Sequence, residues 1–317
     1  MSLISKAVKL YDYFGFHPGQ IIVEPTNACN LRCSVCFRGQ SPQTDIKEGF
    51  IEPGLLEEIL DKRGKRLRTV SLHFRGEPLL HPDIAGLVGR CKARGLIVNL
   101  STNGLLLDEP MAKGLIRAGL DEITINCDDI SGDDYEVIRG PDRAGEVMEN
   151  ITRLDALRRS MGSPVPAVVI KALNRGYSTA IIGAFVKRLG GKDVADKVRI
   201  GDCFPWPGIG LHPGFKYALA GRPRVCCMYY QPATITWEGH VLACSYDYRE
   251  EFTLGRIGDY STLDGIYRTP AYRTFRRRIL LKAYAKQKPC TRCLIPLLGL
   301  TEGEHALRPV MESKAGA

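Results

Sequence analysis

Hydrophobic and polar residues follow two alternating patterns along the first 202 positions. Short runs rich in Val, Ile and Leu predict strands, and the stretches between them carry apolar residues at helical spacing. The predicted strands are Ile21–Glu24, Thr69–Phe74, Ile97–Ser101, Glu122–Cys127, Ala167–Leu173 and Lys197–Gly201. The predicted helices are Glu52–Gly64, Pro82–Arg94, Glu109–Ala118, Ala144–Ser160 and Thr179–Leu189. Because each helix can cross back between two strands, the series predicts an α/β fold with a parallel sheet.

Six strand–helix units fit either a doubly wound sheet or an incomplete barrel. In both architectures the working residues lie at the carboxyl ends of the strands. After Gly201 the chain carries Pro and Gly throughout and has no clear period, which is typical of a linker or a lid. We therefore divide the chain into residues 1–202 and 203–317.

The second, smaller region begins with a predicted hairpin. Ala233–Trp237 and His240–Ala243 flank Glu238-Gly239, a pair that favours a tight turn. A single helix from about Thr262 to Leu281 follows. From Thr301 onward we expect a surface-packed or frayed end.

The composition is that of an ordinary globular protein, with 44% hydrophobic and 25% charged residues in 317. This excludes a disordered chain and a small disulfide scaffold. The longest apolar runs fall well short of the roughly 20 residues that span a bilayer. The N-terminus also lacks the apolar core of a signal peptide. We therefore expect a cytoplasmic protein without a membrane partner.

The net charge of +9 would suit an anionic partner such as nucleic acid. The densest basic run, Arg273–Lys282, mixes its cations with apolar residues at helical spacing. That mixture is typical of a solvated helix face. We therefore expect no nucleic-acid partner.

Eleven cysteines are the unusual feature of the composition. In a reducing compartment, cysteines at short spacings bind metal more often than they form disulfides. Cys29, Cys33 and Cys36 lie on one loop directly after the first strand, where three thiolates can hold an iron–sulfur cluster. A four-iron cluster on three ligands leaves one iron open for substrate or cofactor. A zinc site, or cysteines that are close by chance, is the alternative.

Polar motifs follow the next three strands. They are Phe74-Arg75-Gly76-Glu77-Pro78, then Ser101-Thr102-Asn103-Gly104, then Asn126 and Asp128, with Arg139 further along. Each has a structural explanation by itself, because Glu77 could cap a helix, Asn103 could form a turn and Arg139 a surface ion pair. Their positions after successive strands predict one shared site.

Together, the cysteine spacing and these motifs resemble the radical S-adenosylmethionine enzymes, whose fold is an incomplete (βα)6 TIM-like barrel. The resemblance implies that Gly76, Glu77 and Pro78 correspond to the family's Gly-Gly-Glu-Pro element, which holds the methionine amino group. Arg75 stands where the first Gly is usual. The resemblance further implies cofactor contacts from Ser101, Asn103, Asn126, Asp128 and Arg139. In the related family an aromatic residue usually packs near the adenine of the cofactor, and Val35 stands at that position here. The resemblance therefore implies Phe37, two residues on, as the nearest ring that could pack against the adenine.

The resemblance also implies the chemistry. The open iron of a [4Fe–4S] cluster would chelate S-adenosylmethionine, and one electron would cleave it to methionine and a 5′-deoxyadenosyl radical. Such an enzyme needs an electron donor such as flavodoxin or ferredoxin.

A second cysteine set lies near the C-terminus and comprises Cys226, Cys244, Cys290 and Cys293. From spacing alone, four thiolates fit structural zinc and an iron–sulfur cluster equally well. The surrounding segments resemble the SPASM extension of the same family, or its shorter twitch form, a small α+β domain. The resemblance implies one auxiliary [4Fe–4S] cluster, with Cys226 preferred over Cys227 because its interval to Cys244 fits the family better.

Two of the remaining thiols, Cys227 and Cys203, are candidate hydrogen-atom donors near the barrel mouth. The alternative is that they are small buried apolar residues. Cys91 and Cys127 fit a packing role in a helix and a strand.

The sequence favours a small polar substrate, such as a sugar or an aminocyclitol natural-product intermediate. Abstraction of hydrogen from a carbinol carbon would end in epimerisation or oxidation. We expect no separate peptide-docking domain and one auxiliary cluster, which is the reason for this choice. Peptide or protein modification, by thioether formation or side-chain oxidation, is the alternative. A non-enzymatic iron–sulfur or zinc module that binds nucleic acid would leave Gly76, Glu77 and Pro78 unexplained.

Overall fold

The computed structural model describes residues 19–40, 47–190, 195–217, 225–226, 232–298 and 308–312. All six strands predicted in the first region are present, with small shifts at their ends. They are β1 (Gln20–Val23), β2 (Thr69–Leu72), β3 (Ile97–Thr102), β4 (Glu122–Asn126), β5 (Ala167–Leu173) and β6 (Lys197–Gly201).

The predicted helices of this region are also present. The helices here are α1 (Phe37–Gln40), α2 (Pro53–Asp61), α3 (Ile84–Lys92), α4 (Glu109–Ala118), α5 (Asp134–Arg139), α6 (Ala144–Ser160) and α7 (Thr179–Gly190). The sequence pattern missed α1 and α5 because both are too short to show a helical period. None of the helices within the described ranges combines the length and the apolar character needed to cross a bilayer.

The six strands lie in the order β1-β2-β3-β4-β5-β6, and each neighbouring pair is parallel. The two outer strands do not pair with each other. Instead, β1 pairs with a strand of the second region, and β6 pairs antiparallel with β10 (Arg308–Glu312) in the chain tail, where no strand was expected. The sheet therefore curves as an incomplete barrel rather than closing.

The second region extends this sheet through β7 (Thr234–Ile235), β8 (His240–Leu242) and β9 (Thr253–Arg256). The pairing of β7 with β8 confirms the predicted hairpin, and Gly239 adopts the positive φ of +87° that its turn requires. Because β7 also pairs in parallel with β1, both regions share one sheet. A domain boundary at residue 202 stays a prediction.

The single helix predicted from Thr262 to Leu281 is wrong. The structure has two helices, α8 (Leu263–Ile266) and α9 (Pro270–Leu280). Pro270 lacks the backbone N–H that a continuous helix would need, and it lies in the first turn of α9. The Thr269 side chain caps the new helix by accepting a hydrogen bond from the Tyr272 backbone N–H at 3.2 Å.

The two faces of the barrel strands differ in character. Alternate residues, such as Leu72, Leu100, Ile125 and Ile170, belong to the hydrophobic core that packs against the helices. The intervening residues face the opposite side, because successive side chains of a strand alternate. This inner face is mainly polar and includes Ser71, Asn99, Ser101, Thr124, Asn126, Lys171 and Arg199, together with the apolar Ile22 and Val169.

Candidate active site

The first three cysteines lie on the tight loop between β1 and α1. The Cys36 backbone N–H donates to the Cys33 carbonyl at 3.0 Å, and the Leu31 N–H approaches the Cys29 sulfur at 3.5 Å. A Cβ atom at Gly39 would lie only 2.2 Å from the Cys33 carbonyl oxygen. Glycine at this position therefore lets α1 pack directly against the cysteine loop.

These thiols lie close enough to influence one another. Burial raises the pKa of Cys29, with Cys33 adding to the shift, and burial together with Cys33 and Cys29 raises the pKa of Cys36 to about 11. A thiol set of this kind is held as thiolates only when a positive centre binds it.

The residues fit an iron–sulfur cluster better than a zinc ion. Three thiols lie on this one loop, whereas a structural zinc site usually has four protein ligands. The cysteines of a cluster each bind a different iron and need not converge on one point.

The segment after β2 lies against this cysteine loop. The Glu77 backbone N–H donates to the Ala28 carbonyl at 2.8 Å. A Cβ atom on Gly76 would lie 2.3 Å from the Thr26 carbonyl oxygen and 2.4 Å from that of Ala28. Only glycine allows this approach, so Gly76 helps to set the position of the loop.

Replacing Gly76 with alanine should therefore displace the cysteine loop. We expect Gly76→Ala to lower the free energy of unfolding by about 1–3 kcal/mol and to weaken S-adenosylmethionine binding. Thermal unfolding and equilibrium binding measure the two effects. Gly89→Ala is the matched control, because Gly89 lies in α3 with open space around it. This variant should have a free energy of unfolding about 1 kcal/mol higher than the wild type. Equal unfolding temperatures and affinities for Gly76→Ala and the wild type would contradict this role.

The Glu77 side chain joins the ends of two strands. Its carboxylate accepts hydrogen bonds from the Thr102 hydroxyl at 2.6 Å, the Asn103 backbone N–H at 2.8 Å and the Leu79 N–H at 3.0 Å. Burial raises the pKa of Glu77, although these donors favour the ionised form. The Leu79 bond caps a short 3-10 turn that begins at Pro78. Glu77 is thus an internal anchor, and its contact with a methionine amino group stays a prediction.

Two predicted amides link neighbouring parts of the site. Asn103 donates through Nδ2 to the Asn30 side chain at 2.8 Å, which ties the end of β3 to the cysteine loop. Asn126 donates to the Ser101 hydroxyl and to the Thr102 carbonyl, both at 3.0 Å. Ser101, Asn103 and Asn126 therefore lie together, as the motif positions predicted.

Arg139 joins this group through Asp128. The Arg139 Nε donates to Asp128 Oδ2 at 2.7 Å, and Nη1 approaches the Cys33 sulfur at 3.5 Å. Burial opposes the charge of Arg139, yet Asp128 and Cys33 raise its pKa above the usual value. Asp128 also accepts from the Leu173 backbone N–H at 2.7 Å. The pair is buried beside the cysteine loop, so a surface ion pair is excluded.

Arg75 links the barrel to the second region. It donates to the Glu24 carboxylate through Nε at 2.8 Å and Nη2 at 2.6 Å, and to Glu250 at 2.7 Å. It also donates to the Tyr248 carbonyl at 3.2 Å. The Arg75 side chain is only 3% exposed and that of Glu24 is fully buried. Where the related family has a glycine, this chain therefore has an arginine in a buried ion pair with Glu24.

Phe37 packs inside the protein. Its ring is 1% exposed, stacks on Tyr248 at 4.4 Å between centroids and meets Trp206 edge-on at 5.1 Å. Trp206 in turn lies 4.9 Å from the ring of Tyr246, which follows Cys244 of the second cysteine set by two residues. The rings thus connect the cysteine loop to the second cysteine set. Contact between Phe37 and an adenine stays a prediction.

The second cysteine set is also brought together. Cys226 and Cys244 are buried, and Cys290 and Cys293 are half-buried. Burial raises the pKa of Cys244 well above its usual value, and the nearby Cys293 and Cys290 add to this shift. The Cys226 backbone N–H donates to the Tyr284 hydroxyl at 2.9 Å. Burial raises the pKa of Tyr284, and the nearby Cys226, Cys290 and Cys293 contribute to this shift. These four residues fit an auxiliary cluster.

The two candidate hydrogen donors have different outcomes. Cys227 lies outside the described residues. Cys203 is buried after β6 with Ile138 and Phe215, and Tyr217 forms a side-chain hydrogen bond with it. Burial raises the pKa of Cys203 to about 11, so its thiol is protonated at neutral pH. Cys91 and Cys127 are buried in the core, as a packing role predicts.

The sequence reasoning missed several residues of this site. Asn30, Tyr284, His73 and Lys171 had no role assigned, nor had the ionic partners of Arg75. A signal existed for Lys171, because it interrupts an otherwise apolar strand, Ala167–Leu173. No local sequence pattern marks Asn30 or Tyr284, because their contacts join segments that are distant in the chain.

Comparisons with known proteins agree with this geometry. The profile of the Radical SAM superfamily matches residues 23–166, and that of the SPASM iron-sulfur cluster-binding domain matches residues 226–294. Residues 23–166 therefore form a radical S-adenosylmethionine domain, and residues 226–294 form a SPASM domain. These domains imply a [4Fe–4S] cluster, S-adenosylmethionine and auxiliary iron–sulfur binding, together with the need for a reductant.

One curated relative is similar over most of the chain, and others are similar over about half of it. A tungsten-containing aldehyde ferredoxin oxidoreductase cofactor-modifying protein of Pyrococcus furiosus is 27% identical over 315 residues, 86% of each chain. Other curated relatives are matched over about half of their length or less.

Two solved structures share the fold. BtrN in complex with AdoMet and 2-DOIA has a TM-score of 0.55 at 19% identity, covering 87% of this chain and 92% of that one. Streptococcus suis SuiB bound to the precursor peptide SuiA has a TM-score of 0.67 at 16% identity, covering 92% and 74%.

Proposed function

We propose that this enzyme takes a hydrogen atom from a carbinol carbon of a small polar substrate, a sugar or an aminocyclitol, and so epimerises or oxidises it. The observation that carries the proposal is the polar inner face of the barrel beside the cysteine loop. Hydroxyl and amide groups of Ser71, Asn99, Ser101 and Thr124 line this face. Such groups suit a substrate rich in hydroxyl groups.

The cofactors would supply the radical and the electrons. When bound, the cluster on Cys29, Cys33 and Cys36 would reduce S-adenosylmethionine, and the 5′-deoxyadenosyl radical so released would take the carbinol hydrogen. Arg139 and Asp128 would hold their places beside Cys33, and Gly76 would keep the loop against β2. In the oxidation outcome, the substrate radical left after hydrogen abstraction would lose one electron and its hydroxyl proton to become a ketone. The auxiliary cluster would accept that electron.

Cys203 supports the epimerisation outcome. Its protonated thiol lies where β6 ends, next to the buried side chains of Ile138 and Phe215. The S–H bond would break as hydrogen returns to the opposite face of the substrate carbon. The sulfur radical left behind needs one electron, supplied by a flavodoxin- or ferredoxin-type donor, and one proton from solvent to restore the thiol.

Isotope transfer tests the proposal directly. The anaerobic enzyme is incubated with hexoses and aminocyclitols, free and phosphorylated, each deuterated at the carbinol carbon. We expect deuterium in the 5′-deoxyadenosine formed with a true substrate. In a parallel turnover in deuterated water, solvent deuterium at the stereocentre of the product identifies epimerisation, and an unlabelled ketone identifies oxidation.

Cys203→Ala should abolish deuterium incorporation at the stereocentre while 5′-deoxyadenosine still forms, and Cys91→Ala should behave as the wild type. If no carbinol transfers deuterium and peptides are modified instead, the proposal fails. Peptide modification is the alternative because the peptide-bound SuiB structure shares this fold.

A further inference from the structure

Two side chains inside the barrel have no part in the account above. Lys171 lies on β5 opposite Asn126 of β4 and Arg199 of β6. Its strand neighbours Ile170 and Ala172 belong to the outer hydrophobic core, so Lys171 faces the polar interior. His73 directly follows Leu72, which is likewise in the outer core, and so also faces inward.

The charges around Lys171 are already paired with one another. Asp128 binds Arg139 at 2.7 Å and the Leu173 N–H at 2.7 Å. Glu122 binds Arg199 at 3.1 Å. Within the described ranges, no carboxylate lies within 4 Å of the Lys171 ammonium. In the described part of the chain, Lys171 therefore has no carboxylate in direct contact, and the charge of Asp128 acts on it only from further away.

His73 has an open hydrogen-bonding position in the same space. Its Nδ1 atom is shut off from solvent and has no hydrogen-bond partner in the described part of the chain. Burial, together with the charge of Lys171, lowers the pKa of His73 to about 4. The imidazole is therefore neutral at pH 7 and can accept or donate a hydrogen bond beside the ammonium. An unsatisfied buried group next to an unpaired cation indicates a missing ligand.

We propose that Lys171 and His73 bind an anionic group of the substrate, a carboxylate or a phosphate, inside the barrel. This inference rests on the proposed function and specifies its substrate class as acidic or phosphorylated carbinols. Lys171 would pair with the anion, and His73 would bond one of its oxygens or an adjacent hydroxyl. The Ser101 hydroxyl accepts from Asn126 at 3.0 Å and can still donate to the neutral part of the substrate.

The pH dependence of binding follows from the surroundings of Lys171. Burial lowers its pKa, Arg139 and Arg199 lower it further, and Asp128 and Cys203 act in the opposite direction. His73 is neutral and adds no charge. Because only the protonated amine attracts an anion, affinity should be full below the lowered pKa of Lys171 and should fall as the pH rises through it.

Titration calorimetry with inorganic phosphate and with acetate tests this site without turnover. The reconstituted enzyme is saturated with S-adenosylmethionine, so that groups near the cysteine loop are occupied. We expect one saturable anion site, weakened at least about tenfold in Lys171→Met and largely kept in Lys171→Arg. His73→Gln should weaken it less. Lys187→Met, at an exposed position on α7, is the matched control and should bind as the wild type.

Equal anion affinity in the wild type and in a folded Lys171→Met, or the absence of any saturable site for both anions, would overturn the proposal. Thermal unfolding checks that each variant is folded, and Lys171→Arg tests the charge without emptying the space. Loss of the site in Lys171→Met together with no deuterium transfer from any carbinol would refute the proposed function and leave the anion site standing.

Discussion

Replacing Cys29, Cys33 and Cys36 together with alanine should abolish formation of 5′-deoxyadenosine from S-adenosylmethionine. The three thiols are the cluster ligands that we predict on the loop between β1 and α1, and Arg139 and Gly76 are arranged around them. Without these thiolates no open iron remains to bind the cofactor. Chromatographic detection of 5′-deoxyadenosine under reducing, anaerobic conditions measures the loss.

Cys91→Ala is the matched control for this experiment, because Cys91 is a fully buried thiol of α3 far from either set in the chain. It should retain cleavage of S-adenosylmethionine and lose only some packing energy. Cleavage by the triple variant at the wild-type rate would refute the assignment of this loop as the cofactor site.

Arg75→Ala should destabilise the protein by about 3–5 kcal/mol. The substitution leaves two carboxylates, Glu24 and Glu250, without the cation that neutralises them, and Glu24 is fully buried. It also breaks the contact between the end of β2 and the second region, where Arg75 binds the Tyr248 carbonyl. Denaturant unfolding measures the change.

A second substitution identifies the cause of that loss. Adding Glu24→Gln to Arg75→Ala removes the unpaired buried charge and should recover part of the stability. Arg143→Ala is the control, since the Arg143–Glu146 pair is exposed and should contribute less than about 1 kcal/mol. If Arg75→Ala lowers the free energy of unfolding no more than Arg143→Ala does, the buried ion pair of Arg75 does not stabilise the fold.

The sequence predicted the barrel well because its signals are local. Each strand has its own apolar run and each crossover its own helical period, so the parallel order follows from chain connectivity. The site motifs could be found for the same reason, since the carboxyl ends of parallel strands meet at one edge. Asn126 at the end of β4 donates to Ser101 and Thr102 at the end of β3, as that rule requires.

Other features depend on contacts between distant parts of the chain. Arg75 looked like a departure from a glycine motif, and its partner Glu250 is 175 residues away. The stacking of Phe37 on Tyr248 likewise joins two regions that no local pattern connects. The break before α9 was detectable at Pro270, but the amphipathic spacing on both sides masked it.

Some of the basic residues lie inside the protein rather than on its surface. Arg75 is buried and Arg139 is mostly buried in ion pairs within the site, and Arg276, which the helical pattern placed on a solvated face, is buried against Tyr272. Because carboxylates neutralise Arg75 and Arg139, these two pairs do not account for the net positive charge. Lys171 has no such partner and is the residue from which we infer an anionic substrate.

The iron content of three anaerobically reconstituted proteins tests the central claim that the two cysteine sets hold separate clusters. The wild type should contain about eight irons, from two four-iron clusters. The Cys29/Cys33/Cys36 alanine variant and the Cys226/Cys244/Cys290/Cys293 alanine variant should each contain about four. A full wild-type iron load in the Cys29/Cys33/Cys36 variant would contradict the account.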